Sequence, residues 1–162
     1  MKKIFIALVC GVVLLGSSLC LAAVDGGKIA LGSIYPGMSE QDLLNAFGQP
    51  THRDGDDWTY QNFKVEVEHG RVEKVSTRSE SITTPDSVRV GLPATALNST
   101  FGSADKVDQE YDGVEYEYYS NDGTKKIEFK VVNGIIAKIT CKLKDWTDKN
   151  FYGGLAAIFF AI

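Results

Sequence analysis

Seven side chains recur at alternating positions and are the candidates for a binding surface: Glu66, Glu68, Glu115, Glu117, Tyr119, Glu128 and Lys130. Phe63, Val65 and Val67 alternate with Lys64, Glu66 and Glu68; Val114, Tyr116 and Tyr118 alternate with Glu115, Glu117 and Tyr119; Ile127, Phe129 and Val131 alternate with Glu128 and Lys130. In a strand this period of two sends the apolar set to one face and the charged set to the other. With Thr59 and Lys64, the charged set forms an acid-rich sheet face with one aromatic, and such a face suits a basic protein partner held by salt-sensitive contacts. Other chemistry is sparse. The histidines are His52 and His69, and no HExxH, CxxC, GxSxG or P-loop pattern occurs. Asp54, Asp56 and Asp57 surround Gly55 as in a calcium loop, yet the twelfth position, where the bidentate glutamate belongs, is Val65. No catalytic, cofactor-binding or metal-ligating residue is expected, and the chain reads as a non-enzyme without cofactors.

The elements that position these residues come in two copies. Ile34 to Gly48 and Val88 to Gly102 share their Gly, apolar, Leu and Phe-Gly positions, with Gly37 and Gly91, Phe47 and Phe101 each 54 residues apart. Downstream the offset grows to 58 at Trp58 and Tyr116, then to 64 at His69-Gly70 and Asn133-Gly134, as insertions in loops would make it. In the first copy Ser39 caps a helix with Asp42 three residues on, Met38 and Leu43 form a hydrophobic staple, and Gly48 with Pro50 ends it. Both phenylalanines are expected to be buried against the sheet. The second helix keeps Leu92, Leu97 and Phe101-Gly102 but has Pro93 where a cap would stand. The expected fold class is α+β: two tandem units, each a helix plus a three-strand antiparallel meander, packing into one domain with the helices on one face of the sheet. The expected boundaries are a signal peptide at 1–23, a first repeat at 24–76, a linker at 77–87, a second repeat at 88–142 and a tail at 143–162.

Charge and the chain ends bound the function further. Met1-Lys2-Lys3, the apolar run Ile4 to Leu15 and the small residues around Ala22 and Ala23 describe a secretory signal peptide cleaved near Ala22/Ala23. Cys20 follows Leu19, not the small residue of a lipobox, so no lipid is expected there. Losing the signal moves the formal net charge from −4 to −6, since two lysines and no acids leave. That balance argues against nucleic acid. Cys141 is then the lone cysteine, a small thiol expected at a buried strand end. The tail Leu155 to Ile162 is apolar to its last residue and offers a contact for a partner or a membrane surface, though it is too short to span a bilayer.

The pattern Gly37-Met38-Ser39, Leu43, Phe47-Gly48, Pro50, Trp58, Tyr60, Gly70, Val72 and Val75 resembles the SmpA/OmlA family, whose best-known members are BamE-like proteins. The doubling resembles the β-lactamase inhibitory proteins, which repeat a similar helix-plus-sheet unit. The first resemblance implies an exported protein-binding module of the cell envelope, related to outer-membrane assembly. The second implies a secreted or periplasmic enzyme inhibitor. Either way the partner is another envelope or secreted protein.

Overall fold

A computed structural model describes residues 23–144. The signal segment and the apolar tail therefore lie outside the described residues. After a 3-10 turn at Gly26–Lys28 the chain forms α1 (Glu40–Phe47), β1 (His52–Asp54), β2 (Asp57–Thr59), β3 (Lys64–Glu68) and β4 (Arg71–Thr77). It then forms α2 (Thr95–Phe101), β5 (Lys106–Glu110), β6 (Gly113–Tyr119), β7 (Lys125–Val132) and β8 (Ile135–Leu143). All eight strands join one antiparallel sheet in the order β1-β2-β3-β4-β8-β7-β6-β5. The expected pair of helix-plus-three-strand units is thereby corrected: the molecule is mainly β, a continuous eight-stranded sheet with two short helices, and each helix is followed by four strands.

The strands absent from the sequence reading, β1 and β5, are the two edges of the sheet. All three residues of β1 are exposed, and Val107 of β5 is an exposed apolar side chain. An edge strand with nothing to bury carries no hydrophobic period, and its charges discourage pairing with another chain. The acids around Gly55 are accounted for in the same way. They form the tight turn between β1 and β2, with Asp54 opposite Asp57 and Gly55 at φ 57°.

Local signals worked well where they were strongest. Ser39 accepts from the Asp42 backbone N–H at 3.1 Å and donates its hydroxyl to the Asp42 carboxylate at 2.6 Å. Gly48 ends α1 at φ 71°, and its N–H donates to the Leu44 carbonyl. His69-Gly70 and Asn133-Gly134 turn their hairpins with consecutive positive φ angles of 50° and 74°, and 52° and 77°, the geometry of a type I′ turn. The second helix begins at Thr95 without a side-chain cap.

One hydrophobic cluster runs through both halves on the helix-covered face. Leu43 of α1 and Leu97 with Phe101 of α2 enter it beside Trp58, Val65, Val75, Tyr118, Phe129 and Ile139. Phe101 is 4% exposed, but Phe47 is 36% exposed, which corrects the expectation that both are buried. Phe47 is the last residue of its helix, beside the short β1–β2 ribbon, and it packs edge-on against Phe63 at 5.1 Å. A shared device ties each helix end to the sheet: the Tyr60 hydroxyl donates to the Gly48 carbonyl and the Tyr118 hydroxyl to the Gly102 carbonyl. The segment 24–34 also packs on this side, through Ile29, Leu31 and Ile34. Within the expected linker, 77–87, Thr84 is buried and Ile82 packs on the core.

Candidate functional site

Among the described residues the helices and connecting segments pack on one face of the sheet. The opposite face is an array of polar side chains set by strand register. One row runs Thr59, Lys64, Ser76, Thr140, Glu128, Glu117, Lys106, crossing from β2 to β5. Beside it runs Asp57, Glu66, Lys74, Lys142, Lys126, Tyr119. On its other side stand Lys138, Lys130, Glu115 and Asp108. Glu66, Glu115, Glu117, Tyr119, Glu128 and Lys130 therefore share this face as expected. Glu68 lies at its margin, paired with Arg71 beside the His69-Gly70 turn.

The face is not acid-rich. Lys74, Lys106, Lys126, Lys138 and Lys142 are interleaved with the acids. Lys106 lies on β5, which has no apolar period, and Lys74, Lys138 and Lys142 lie on β4 and β8, each of which carries a bulge, whereas Lys126 simply extends the Glu128 and Lys130 alternation of β7 toward its start. Pairing shifts between Glu66 and Val67 and between Lys130 and Val131, leaving Glu73 and Ala137 as extra residues. The signal for this was present in the spacing of Val72 and Val75, and of Ile136 and Ile139. Apolar residues three apart can share one face of a strand only across a bulge.

Nor are the acids freely exposed. Glu117 is 3% exposed, Lys126 5% and Glu128 7%. The Lys126 ammonium lies 3.0 Å from both Glu117 and Glu128. Lys142 reaches Glu128 at 2.8 Å and Lys106 reaches Glu117 at 3.3 Å. The Tyr119 hydroxyl donates to Glu117 at 2.8 Å. Burial alone would raise the Glu117 pKa, but the hydrogen bonds from Lys126 and Tyr119 and the charges of Lys126 and Lys106 outweigh it and hold the carboxyl below its usual range. Lys126 is likewise opposed by burial, yet its two carboxylate partners hold it above the usual lysine range. Tyr119 is pushed up to about 12 by burial and by the same Glu117 contact.

Glu115 behaves differently. Lys130 stands across from it, but the Lys130 ammonium turns away to Glu110 and Asp112. Burial, with the negative charges of Glu128, Glu110 and Glu117, raises the Glu115 pKa. Oxygens of Glu115, Glu117 and Glu128 lie within 4.8 Å of one another, the one arrangement among the described residues able to approach a cation with three carboxylates. Lysine ammoniums already occupy Glu117 and Glu128, so a divalent ion would have to displace them. The arrangement is that of an internal ion-pair network.

At the β3 end of the face the chemistry changes sign. A groove of about 550 Å³ opens between the β2–β3 turn and the end of β4, with Gln61, Asn62, Lys64, Arg78, Ser79 and Lys138 along its walls. Burial, then the charges of Arg78 and Lys74, lower the Lys138 pKa below the usual lysine range. Cys141 is fully buried, next to Val75 across the β4–β8 pairing, and burial pushes its thiol far up. That makes it an unreactive core residue.

No family model and no curated protein matches the chain. Solved structures do resemble it in fold. A DUF4309 family protein from Bacillus subtilis is similar at a TM-score of 0.51 and 16% identity, over 65% of this chain and 78% of that one. An extracellular protein containing an SCP domain, from Bacillus anthracis, is similar at a TM-score of 0.50 and 10% identity, over 66% of this chain and 43% of that one. A protein proposed to be a β-lactamase inhibitor, from Streptococcus mutans, overlaps at a TM-score of 0.27 and 16% identity, over 71% of this chain and 91% of that one. At these identities the first two likenesses speak to fold alone, and the third is too distant to carry an argument. Among the described residues no helix is long and apolar enough to cross a membrane.

Proposed function

We propose that this chain is an extracytoplasmic, non-catalytic module that binds another protein with the sheet face opposite its helices. The observation that carries the reading is the face itself: a polar surface crossing seven strands from β2 to β5, whose central side chains Glu117, Lys126 and Glu128 are ion-paired and buried against one another. Fixed side chains lose little further freedom on binding, so such a surface is preorganised for a partner. The doubled order of helix and strands agrees with the resemblance to β-lactamase inhibitory proteins, and nothing in the comparisons favours a BamE-type role. Export is supported by the signal-like first residues and by the extracellular fold relative from Bacillus anthracis.

The reading is tested by blocking one face at a time. Ser76 lies at the centre of the polar face and Thr100 is exposed on α2. Ser76→Cys and Thr100→Cys would each be labelled with a bulky maleimide and used to capture proteins from envelope and secreted fractions. The expected result is that the Ser76 label abolishes capture of a specific protein that the unlabelled chain and the Thr100-labelled chain retain. Equal capture by both labelled forms would remove the polar face from consideration, and the apolar tail Leu155 to Ile162 would be the next surface to test.

A further inference from the structure

We propose that the groove bounded by Lys64, Arg78 and Lys138 receives an acidic peptide segment of the partner protein. The inference rests on the polar face being the binding surface and assigns the chemistry of its β3 end. Three observations lead to it. First, the groove contains three cations and no carboxylate. Elsewhere on this face lysines are matched with acids, as Lys74 is with Glu66 and Lys142 with Glu128. Lys64, Arg78 and Lys138 make no ion pair within the described residues.

Second, the cations are placed at a cost. The β4–β8 pairing ends at Thr77 opposite Ile139, and Arg78 and Lys138 are the residues next to that last pair, one on each chain segment. Like charges directly opposite one another destabilise a sheet. At Lys138 burial and the charges of Arg78 and Lys74 disfavour the ammonium, and the charges of Glu128 and Glu115 offset this only in part. An anion in the groove would offset the repulsion between Arg78 and Lys138.

Third, the form of the groove selects among anions. Lys64 is on β3 and Lys138 on β8, with β4 between them, so two strand spacings, roughly 10 Å, separate their backbones. Separate single charges along a peptide match that spread better than one compact phosphate does. Between the cations the walls offer the amides of Gln61 and Asn62 and the hydroxyl of Ser79, groups suited to a peptide backbone. A groove of about 550 Å³ is within the range that holds a small ligand or a short segment, not a domain.

The experiment measures anisotropy of a fluorescent peptide of alternating glutamate and glycine added to the full chain, with glutamine and lysine versions as controls. Inorganic phosphate serves as competitor. The expected result is saturable binding of the acidic peptide alone, weakening as salt rises. Arg78→Gln and Lys138→Gln should each reduce affinity about tenfold, with melting temperatures equal to or above that of the parent chain. Binding of the neutral peptide with equal affinity, or equal affinity in both variants, would overturn the proposal. So would complete displacement by phosphate at concentrations far below those of bulk salt effects, which would mark a small-anion site. If the Ser76 label blocks partner capture while the two variants leave capture and peptide binding unchanged, the groove assignment fails and the face reading stands. If the Ser76 label has no effect on capture, the face reading itself fails.

Discussion

Lys126 is the residue on which the polar face depends. It is almost fully buried between Glu117 and Glu128, so its removal takes away their shared partner and leaves two carboxylates with little access to water under-compensated, Glu117 by Lys106 and Tyr119 and Glu128 by Lys142. Breaking one partner of a buried ion pair is costly even where the pair adds little net stability. Lys126→Met is therefore expected to lower unfolding free energy in urea by about 3–5 kcal/mol. Adding Glu117→Gln to that variant should restore part of the loss, because one under-compensated charge is gone. A charge reversal at Glu117 is accordingly a stability variant and not a clean probe of binding. At the opposite end of exposure, Asp122 accepts from the Ser120 hydroxyl and from the Thr124 backbone and hydroxyl, and these bonds hold its pKa down to about 2. A carboxyl with a depressed folded-state pKa stabilises the fold above its unfolded value and loses that contribution as pH falls through the folded one. Melting temperature should thus decline as pH drops from about 4 to about 2, and Asp122→Asn should make that decline shallower.

At the scale of elements, the two helices resemble each other in sequence and differ in what they bury. Phe101→Ala is expected to cost about 3–5 kcal/mol in urea unfolding. Phe47→Ala should cost clearly less, because Phe47 is 36% exposed and makes its contacts edge-on. Gly113 opens β6 at φ 152°, where an added Cβ would collide with the Val131 carbonyl oxygen. Gly113→Ala should therefore destabilise the β6–β7 pairing by more than about 1 kcal/mol, seen as faster amide exchange in β5 and β6. The glycine was visible in the sequence, but nothing nearby in the chain reveals the carbonyl it must avoid. The same division separates what could be read from what could not. Ser39, Gly48, His69-Gly70 and Asn133-Gly134 act through bonds to near neighbours, so their types disclosed the caps and turns. Glu66, Glu117 and Glu128 disclosed a shared face through simple alternation. Lys74, Lys138 and Lys142 beside them were hidden by the bulges at Glu73 and Ala137, and the edge strands, with Lys106, by having nothing to bury. The groove is drawn from four strands and two connections, and no local window contains it.

At the scale of the whole molecule, the two halves are held by the β4–β8 pairing, from Lys74 with Lys142 to Thr77 with Ile139, and by the cluster that both helices enter. Cys141 sits in that pairing with no exposure. Its reaction with a thiol reagent requires the seam to open, so the labelling rate reports that opening. In native buffer the labelling of Cys141, followed in a chain that starts at Val24 and so lacks Cys10 and Cys20, should be slow, and its rate should rise with urea in step with global unfolding. Fast labelling insensitive to urea would mean that the seam breathes independently of the core. The seam has one more consequence. An opened molecule presents β4 and β8 as bare edges, each complementary to the other edge on a neighbouring copy. Two such copies can close on each other by reciprocal exchange of halves, remaking the same contacts between chains. Refolding at high concentration should then trap a fraction of dimers that a dilute preparation never forms.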